Sequence, residues 1–346
     1  TPPSWARKIT REHLQFRPVR SWEYGYLWIA WGGNKNTIRD DQRIRFELLS
    51  IVMGVWDYIK NSDDHPSSAS WALDWVGMIP GKRGSRRLVG DYFLNQEDLE
   101  NGGQFDDAVA LGGWPMDDHP PGGFDRIEVK PNIAIHTPDV FNIPLRSLYS
   151  KNIANLVMAG RNISCSHVAF TSTRVMATCA VVGQAAGTAA ALAIERGVAP
   201  REIYRDKRLL KHLQQTLLRD DQTIRGLVNE DPRDLARRAR VSASSEIGEA
   251  KAANLLDGHV RDYPRKGAKE IHHWAAKLDG GAPWIDLAWE KPQKIGEIQI
   301  TFDTGFDRIL TLTSQTDFNQ GVVRAPQPET VKDYTVSVRK PGAREW

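Results

Sequence analysis

Asn155-Leu-Val-Met-Ala-Gly160, a polar run at 161–173, and then 175–194 with Ala180, Gly183, Ala185, Ala186, Gly187, Ala189, Ala190 and Ala191 form the stretch that decides how this chain is read. The apolar run ending in glycine predicts a short buried strand and the polar run a loop. The small residues predict a helix, with Gly197 as its C-terminal cap. Each interior glycine weakens a helix by about 1 kcal/mol relative to alanine, a loss tolerated where the backbone must approach a sheet or a flat ligand closely. Strand, loop and helix start in that order bring free N–H groups and a positive dipole end to one point. That point suits a diphosphate or an electron-rich carbonyl. The same pattern also fits a helix packed on a sheet with no ligand.

Upstream, residues 1–36 are aromatic and irregular, including Trp22-Glu-Tyr-Gly-Tyr-Leu-Trp28. From Thr37, a candidate N-cap, Leu48, Leu49, Val52, Trp56 and Ile59 recur at helical spacing and predict a helix of about six turns to near Lys60. Residues 61–80 read as loop, 86–94 as a strand, and Asn95-Gln-Glu-Asp98 as a helix start or turn. The Gly-, Pro- and Asp-rich stretch 108–123 around Trp114 and His119 reads as a loop, where function concentrates. Residues 127–135 suggest a strand and 141–146 an extended piece.

Downstream, a helix near 206–218 places Leu210, Leu213 and Leu217 on one face, and 219–240 reads as a charged, linker-like helix. After Val241 the texture changes to short strands at 284–287, 295–302 and 334–338, marking a boundary near 235 and an all-β module behind it. The expected organisation is an α/β domain over 1–235 followed by a β module over 240–346. Within the first, a substrate region covers about 20–150, the strand–loop–helix block about 155–195, and a helical extension 200–235.

Composition narrows the function classes. The chain has 346 residues, enough at roughly 100–200 per domain for two domains. Lys+Arg 46 against Asp+Glu 43 is too balanced for a nucleic-acid funnel or a polybasic membrane anchor. No uninterrupted apolar run reaches the roughly 18–20 residues of a membrane span. Two cysteines, Cys165 and Cys179, exclude a disulfide scaffold and a four-cysteine zinc site. No His/Cys/Asp cluster shows metal-site spacing, so no metal is expected. Twelve tryptophans are a surplus of flat side chains of the kind that stack on sugars. The first residues hold neither Met nor an apolar signal core, and the alternating run 333–339 has nothing after it to close a sheet, so a piece of a longer protein is expected.

Asn142-Ile-Pro-Leu-Arg-Ser-Leu-Tyr149, Asn155–Ser164 and the run from Ser172-Thr-Arg-Val-Met176 through Gly183-Gln-Ala-Ala-Gly187 resemble the C-terminal part of a family of FAD-dependent oxidoreductases. That family has the two-dinucleotide-binding-domain fold of glutathione-reductase type. Gly54-Val-Trp-Asp-Tyr-Ile-Lys60, Arg83-Gly-Ser-Arg-Arg-Leu-Val-Gly-Asp-Tyr92 and Gly113-Trp-Pro-Met-Asp-Asp-His119 are similar to it in the same order. The resemblance implies FAD as cofactor. It sets Gly160 and Arg161 against the ribityl-diphosphate, Ser164 as a further loop contact, and Thr173, Arg174, Val175 and Met176 at the helix start facing the flavin ring. The family's opening G-x-G-x-x-G is missing: Gly32-Gly33 and Gly102-Gly103 lack its spacing and flanks. Truncation is the expected reason, an inactive relative the alternative, and this piece alone is expected to bind FAD poorly or not at all and to be inactive by itself.

A flavin enzyme needs a base for the donor's proton, and imidazole exchanges protons near neutral pH. His167 is the first candidate base, with a loop histidine donating to a carbonyl as the plain alternative. His119 with Asp117 is second, as a substrate-positioning pair. Arg83 and Arg86 can hold an acidic substrate group or simply pair with surface carboxylates. Cys165 and Cys179 flank the loop as a conceivable redox pair, although single buried thiols are commoner.

Ser242-Ala-Ser-Ser245, Ala252-Ala-Asn-Leu-Leu-Asp-Gly258, His273-Trp274, Trp284-Ile-Asp-Leu287 and Ile295-Gly-Glu-Ile-Gln-Ile300 resemble a discoidin-like (coagulation-factor type C) jelly roll. The resemblance implies a sandwich core at Trp284 and Leu287, a shaped turn at Asp257-Gly258, and sugar stacking on His272, His273 or Trp274. The expected function is thus hydride transfer from a CH–OH donor, a small molecule or carbohydrate, to flavin, with possible glycan binding by the β module. No nucleic acid and no membrane span are expected, and a sugar link would point to export. The alternatives are a non-catalytic glycan-binding surface protein that has lost flavin, or a polysaccharide-degrading enzyme using Asp117, Asp118 and Asp125.

Overall fold

The computed structural model describes residues 1–19, 26–137, 140–265, 268–279, 281–302, 320–327, 330–339 and 342–343. Trp22–Gly25 of the aromatic run lie outside them. Helix α1, Asp41–Asn61, starts at Asp40 rather than Thr37. It buries Ile44, Ile51, Val55 and Ile59 on one face, with the expected Leu48, Leu49, Val52 and Trp56 half-buried along it. Gly54 on that face meets the N-terminal segment, since a Cβ there would lie 2.0 Å from the carbonyl oxygen of Arg7. Ile51, Val55 and Ile59 pack with Trp28 and Phe124 into a small core of their own. Helix α2, Gln96–Glu100, opens with a reciprocal cap: the Asn95 side chain accepts from the Asp98 N–H, and Asp98 accepts from the Asn95 N–H at 2.9 Å.

Four strands follow: β1 (Ala108–Gly112), β2 (Met116–Asp118), β3 (Ile133–Ile135) and β4 (Phe141–Pro144). β1 pairs antiparallel with β4, with Ala110 opposite Ile143, and β2 pairs antiparallel with β3, with Met116 opposite Ile135. The expected 108–123 loop is therefore corrected. Glycine and proline crowd its second half, but Ala108-Val-Ala-Leu-Gly112 is a core strand. The 161–173 loop is corrected too, because helix α3, His167–Thr173, forms there with Ser166 Oγ accepting from the Ala169 N–H at 3.1 Å.

Helix α4, Met176–Arg196, ends on Gly197 in the left-handed region at φ 65°, as its composition predicts. It is long and apolar enough to cross a bilayer by length and composition. Its Val182, Ala185, Ala189 and Leu192 nevertheless pack in the main core against Val109, Phe141, Ile143, Leu213 and Leu217. Helix α5, Pro200–Arg205, begins on a proline. Helix α6, Lys207–Arg219, is capped by Asp206 and buries Leu210, Leu213 and Leu217, as expected. Beneath this layer the fully buried Asp107 carboxylate accepts from the backbone N–H, Nε and Nη2 of Arg146, each at 2.9 Å. Breaking such a buried pair typically costs about 3–5 kcal/mol.

Some expected elements dissolve. Residues 86–94 are not a strand: Leu88 and Leu94 donate N–H bonds to Asn162 and Ser164, with one bridge from Leu94 to Cys165. Residues 155–160 hold only a bridge between Tyr149 and Val157. The charged 219–240 stretch contains a 3-10 turn at Ala236–Arg238 in place of a helix.

Beyond it lie β5 (Arg240–Ala243), β6 (Tyr263–Arg265), β7 (Ala268–Glu270) and β8 (Ile285–Ala288). β5 pairs with β8 and β6 with β7, both antiparallel. Among the described residues these two pairs do not amount to a jelly roll. Trp284 is 53% exposed rather than a core residue. Residues 295–302 and 334–338 form no ladder, and their alternating Ile295, Ile298, Ile300, Tyr334, Val336 and Val338 are exposed. Alternation specifies a half-buried strand only where a second surface covers the apolar side.

Candidate functional site

β2, α3 and the start of α4 meet in one place because α3 packs on β2 and Arg174 is the only residue between α3 and the N-cap of α4. Ser172 Oγ donates to the carbonyl of Trp114, and Arg174 Nη2 donates to the carbonyl of Asp117 at 2.8 Å, joining helix to strand twice. This packing gathers candidates that are far apart in the chain. Nε2 of His119 lies 3.4 Å from Asp117 Oδ2, without hydrogen-bond geometry, and Arg174 Nη2 lies 3.9 Å from the same oxygen. Nε2 of His167 lies 3.5 Å from Asp118 Oδ1. Two imidazole–carboxylate pairs thus share two consecutive strand residues.

Their environments differ. Burial holds the His119 pKa below its ordinary value; Arg174 and Arg83 push the same way, and Asp117 opposes them. Burial also lowers the Arg174 pKa, as does Arg83, while Asp117 and Asp118 raise it. The His167 side chain is 64% exposed, and Trp114, whose carbonyl accepts from Ser172 of α3, is exposed as well. Arg83 is exposed and close enough to act on both His119 and Arg174, whereas Arg86 takes no part. Sequence reasoning missed Asp118 as the partner of His167. Its signal was the Asp117-Asp118-His119 run, legible only once β2 is known to be a strand.

The residues set against the cofactor by resemblance divide into two groups. Gly160 turns at φ 78° with open space where a Cβ would stand, and Val175 starts α4 with no side-chain cap. Met176 is 89% exposed, and no side chain of the N-cap residue accepts from the first-turn N–H groups of α4. An uncapped helix start beside an open glycine turn fits the electron-rich edge of a flavin. Arg161 instead donates to the carbonyls of Lys82 at 2.9 Å and Arg83 at 3.2 Å, pinning the 82–83 segment. Ser164 and Thr173 are buried, and the Ser164 hydroxyl has no partner, so neither presents a side chain to a ligand from the surface. The fit therefore rests on Gly160, Arg174, Val175 and Met176.

Cys165 and Cys179 are both free thiols. Burial pushes the Cys165 pKa up to about 11 and raises that of Cys179 as well, which disfavours the thiolates a redox pair needs.

In the C-terminal part the expected stacking rings are drawn inward. His272 Nδ1 lies 2.6 Å from Asp257 Oδ2, His273 Nδ1 lies 2.9 Å from Asp262 Oδ1, and Trp274 Nε1 donates to the Ser245 carbonyl. The Asp257-Gly258 turn forms as expected, with Gly258 at φ 88° and Asp257 accepting from the His259 N–H. One expectation is reversed here. Spacing suggested no metal cluster, yet folding brings Asp257, His259 and His272 together, with one donor atom of each within 4.8 Å of the others.

The sequence matches the family described as FAD dependent oxidoreductase over residues 8–217, more than half of the chain, and the chain belongs to that family. Residues 234–324 match a domain of unknown function (DUF7402). No curated protein and no solved structure matches the chain.

Proposed function

We propose that this chain serves the oxidation of a CH–OH donor of small-molecule size, with sugars among the candidate donors, at the mouth formed by β2, α3 and the start of α4. The observation that carries the reading is the meeting of His167–Asp118 and His119–Asp117 beside Arg174, immediately before the uncapped start of α4. His167, exposed and aligned by Asp118, takes the donor's hydroxyl proton, and the carboxylate steadies the resulting imidazolium. His119 is neutral near pH 7 because its pKa is held down, so it can hydrogen-bond a donor hydroxyl without adding charge. Arg83 and Arg174 supply positive potential where negative charge builds on the donor oxygen. Trp114 offers a flat apolar wall on which a sugar ring can rest. Gly160 and the first-turn N–H groups of α4, with Arg174 and Val175 leading into them, would hold FAD. Bound FAD supplies the acceptor for the hydride that leaves the donor carbon.

The test replaces His167 by Gln and Asp118 by Asn in the FAD-loaded protein. Turnover of a CH–OH donor is expected to fall roughly 10²–10⁴-fold in H167Q, the usual contribution of a general base, with flavin absorbance unchanged. Full turnover in H167Q removes the base assignment. Failure of the full-length protein to take up FAD at all would favour a non-catalytic role.

A further inference from the structure

The turn before β6 and the residues after β7 meet at the base of the β6–β7 hairpin. The turn carries Asp257 and His259, and the return carries His272. His272 is drawn well in, its side chain only 9% exposed. Its Nε2 is buried with no hydrogen-bond partner, 3.9 Å from Glu270 Oε1. The two imidazole rings sit with centroids 4.0 Å apart.

We propose that Asp257, His259 and His272 bind a divalent transition-metal ion, zinc by their chemistry. Two imidazoles and one carboxylate form a nitrogen-rich set that suits zinc, whereas calcium and magnesium take oxygen ligands. Zinc–nitrogen and zinc–oxygen bonds of about 2.0–2.2 Å set tetrahedral ligands about 3.3 Å apart. The donor spread of up to 4.8 Å closes to that value by side-chain rotation. The 2.6 Å contact between Asp257 Oδ2 and His272 Nδ1 is a hydrogen bond sharing one proton. The ion takes the Nδ1 lone pair and that proton moves to Nε2, on the side where Glu270 stands, so no proton is lost and no redox change occurs. Each ring has an oxygen positioned to fix its orientation: Tyr263 Oη is 3.3 Å from His259 Nδ1, and Glu270 stands beside His272. His259 also lines a cavity of about 10 Å³ with Gly258, Tyr263 and Leu218. Such an ion would clip the base of the hairpin and brace it against Leu218 at the end of α6.

The experiment strips the whole chain with a chelator, then titrates in zinc chloride by calorimetry and, separately, cobalt(II) chloride by visible absorption. One equivalent of zinc is expected, together with the intense visible bands of tetrahedral cobalt, which zinc then bleaches. H259A and D257N are each expected to weaken zinc at least tenfold, and E270Q to weaken it less. Wild-type chain that takes up no zinc and shows no cobalt bands overturns the proposal, as does binding unchanged in both H259A and D257N. Should those variants unfold, diethyl pyrocarbonate labelling of wild type decides. Zinc is expected to shield His259 and His272 from modification while His167 still reacts, and labelling of His259 unaffected by zinc overturns the site.

Discussion

Arg174 donates to the backbone carbonyl of Asp117 at 2.8 Å, and this one bond ties the junction between α3 and α4 to the strand that carries Asp117 and Asp118. Arg174 is also the C-terminal cap residue of α3, its N–H bonded to the Phe170 carbonyl at 3.0 Å, and its guanidinium lies over the Phe170 ring at 5.5 Å. It therefore fixes the angle at which the start of α4 faces β2. R174A removes a charged donor from a half-buried carbonyl and is expected to destabilise the chain by about 1.5–3 kcal/mol in urea unfolding. R174K, which keeps a charge and most of the stem, should recover part of that loss. An R174A midpoint equal to wild type would show that the tie contributes nothing.

His119 gives the site a pH response whose sign follows from its surroundings. Its folded pKa lies below the unfolded value because of burial first, with Arg174 and Arg83 adding and Asp117 opposing. Near and below the unfolded value of about 6.5 the unfolded chain takes up this proton more readily, so folding stability falls as pH drops from about 7.5 through that range. Below the folded pKa both states are protonated and the loss levels off. H119Q should flatten this part of the wild-type stability–pH curve, read as the difference between the two proteins so that other histidines cancel. Removing Arg174 takes away one of the charges that hold the proton off, so the His119 pKa is expected to rise in R174A, measured by NMR titration of the ring.

Features that depend on near neighbours were legible in the chain itself. Gly197 ends α4, Asp206 starts α6 ahead of Leu210, Leu213 and Leu217, and Asn95 with Asp98 opens α2 because each cap lies within a turn of what it caps. β1 was hidden since its partner β4 comes from a distant segment and the Gly-Pro run after Gly112 overwhelms its short apolar pattern. α3 was hidden because Ser, Thr and His dominate it. What makes it a helix is the Ser166 cap and the burial of Ala169 and Phe170. His167, His119 and Asp117 stand out in the sequence by residue type alone. Their convergence, and the pairing of His167 with Asp118, depend on α3 docking on β2, which no local pattern encodes. The cluster of Asp257, His259 and His272 was missed for the same reason, since the hairpin between them closes the gap.

Two glycines separate what this chain needs for folding from what α4 keeps open. At Gly90 a Cβ would lie 2.4 Å from the Arg146 carbonyl oxygen and 3.0 Å from that of Tyr149, both backbone atoms with little room to yield. G90A should therefore cost at least about 1–3 kcal/mol, the usual penalty of overpacking. At Gly187, inside α4, a Cβ meets nothing within 4 Å, and the same holds at Gly183. Alanine in a helix interior is better than glycine by roughly 1 kcal/mol, so G183A and G187A should each raise stability by about that amount in urea unfolding. A helix that gives up this much at two open positions gains nothing for its own packing. If the open face lies against bound FAD or the backbone that holds it, the stabilised G187A chain should retain less flavin after gel filtration than wild type. Equal retention in both proteins would assign the glycines no part in the cofactor site, while the predicted stability gain would stand on the open space alone.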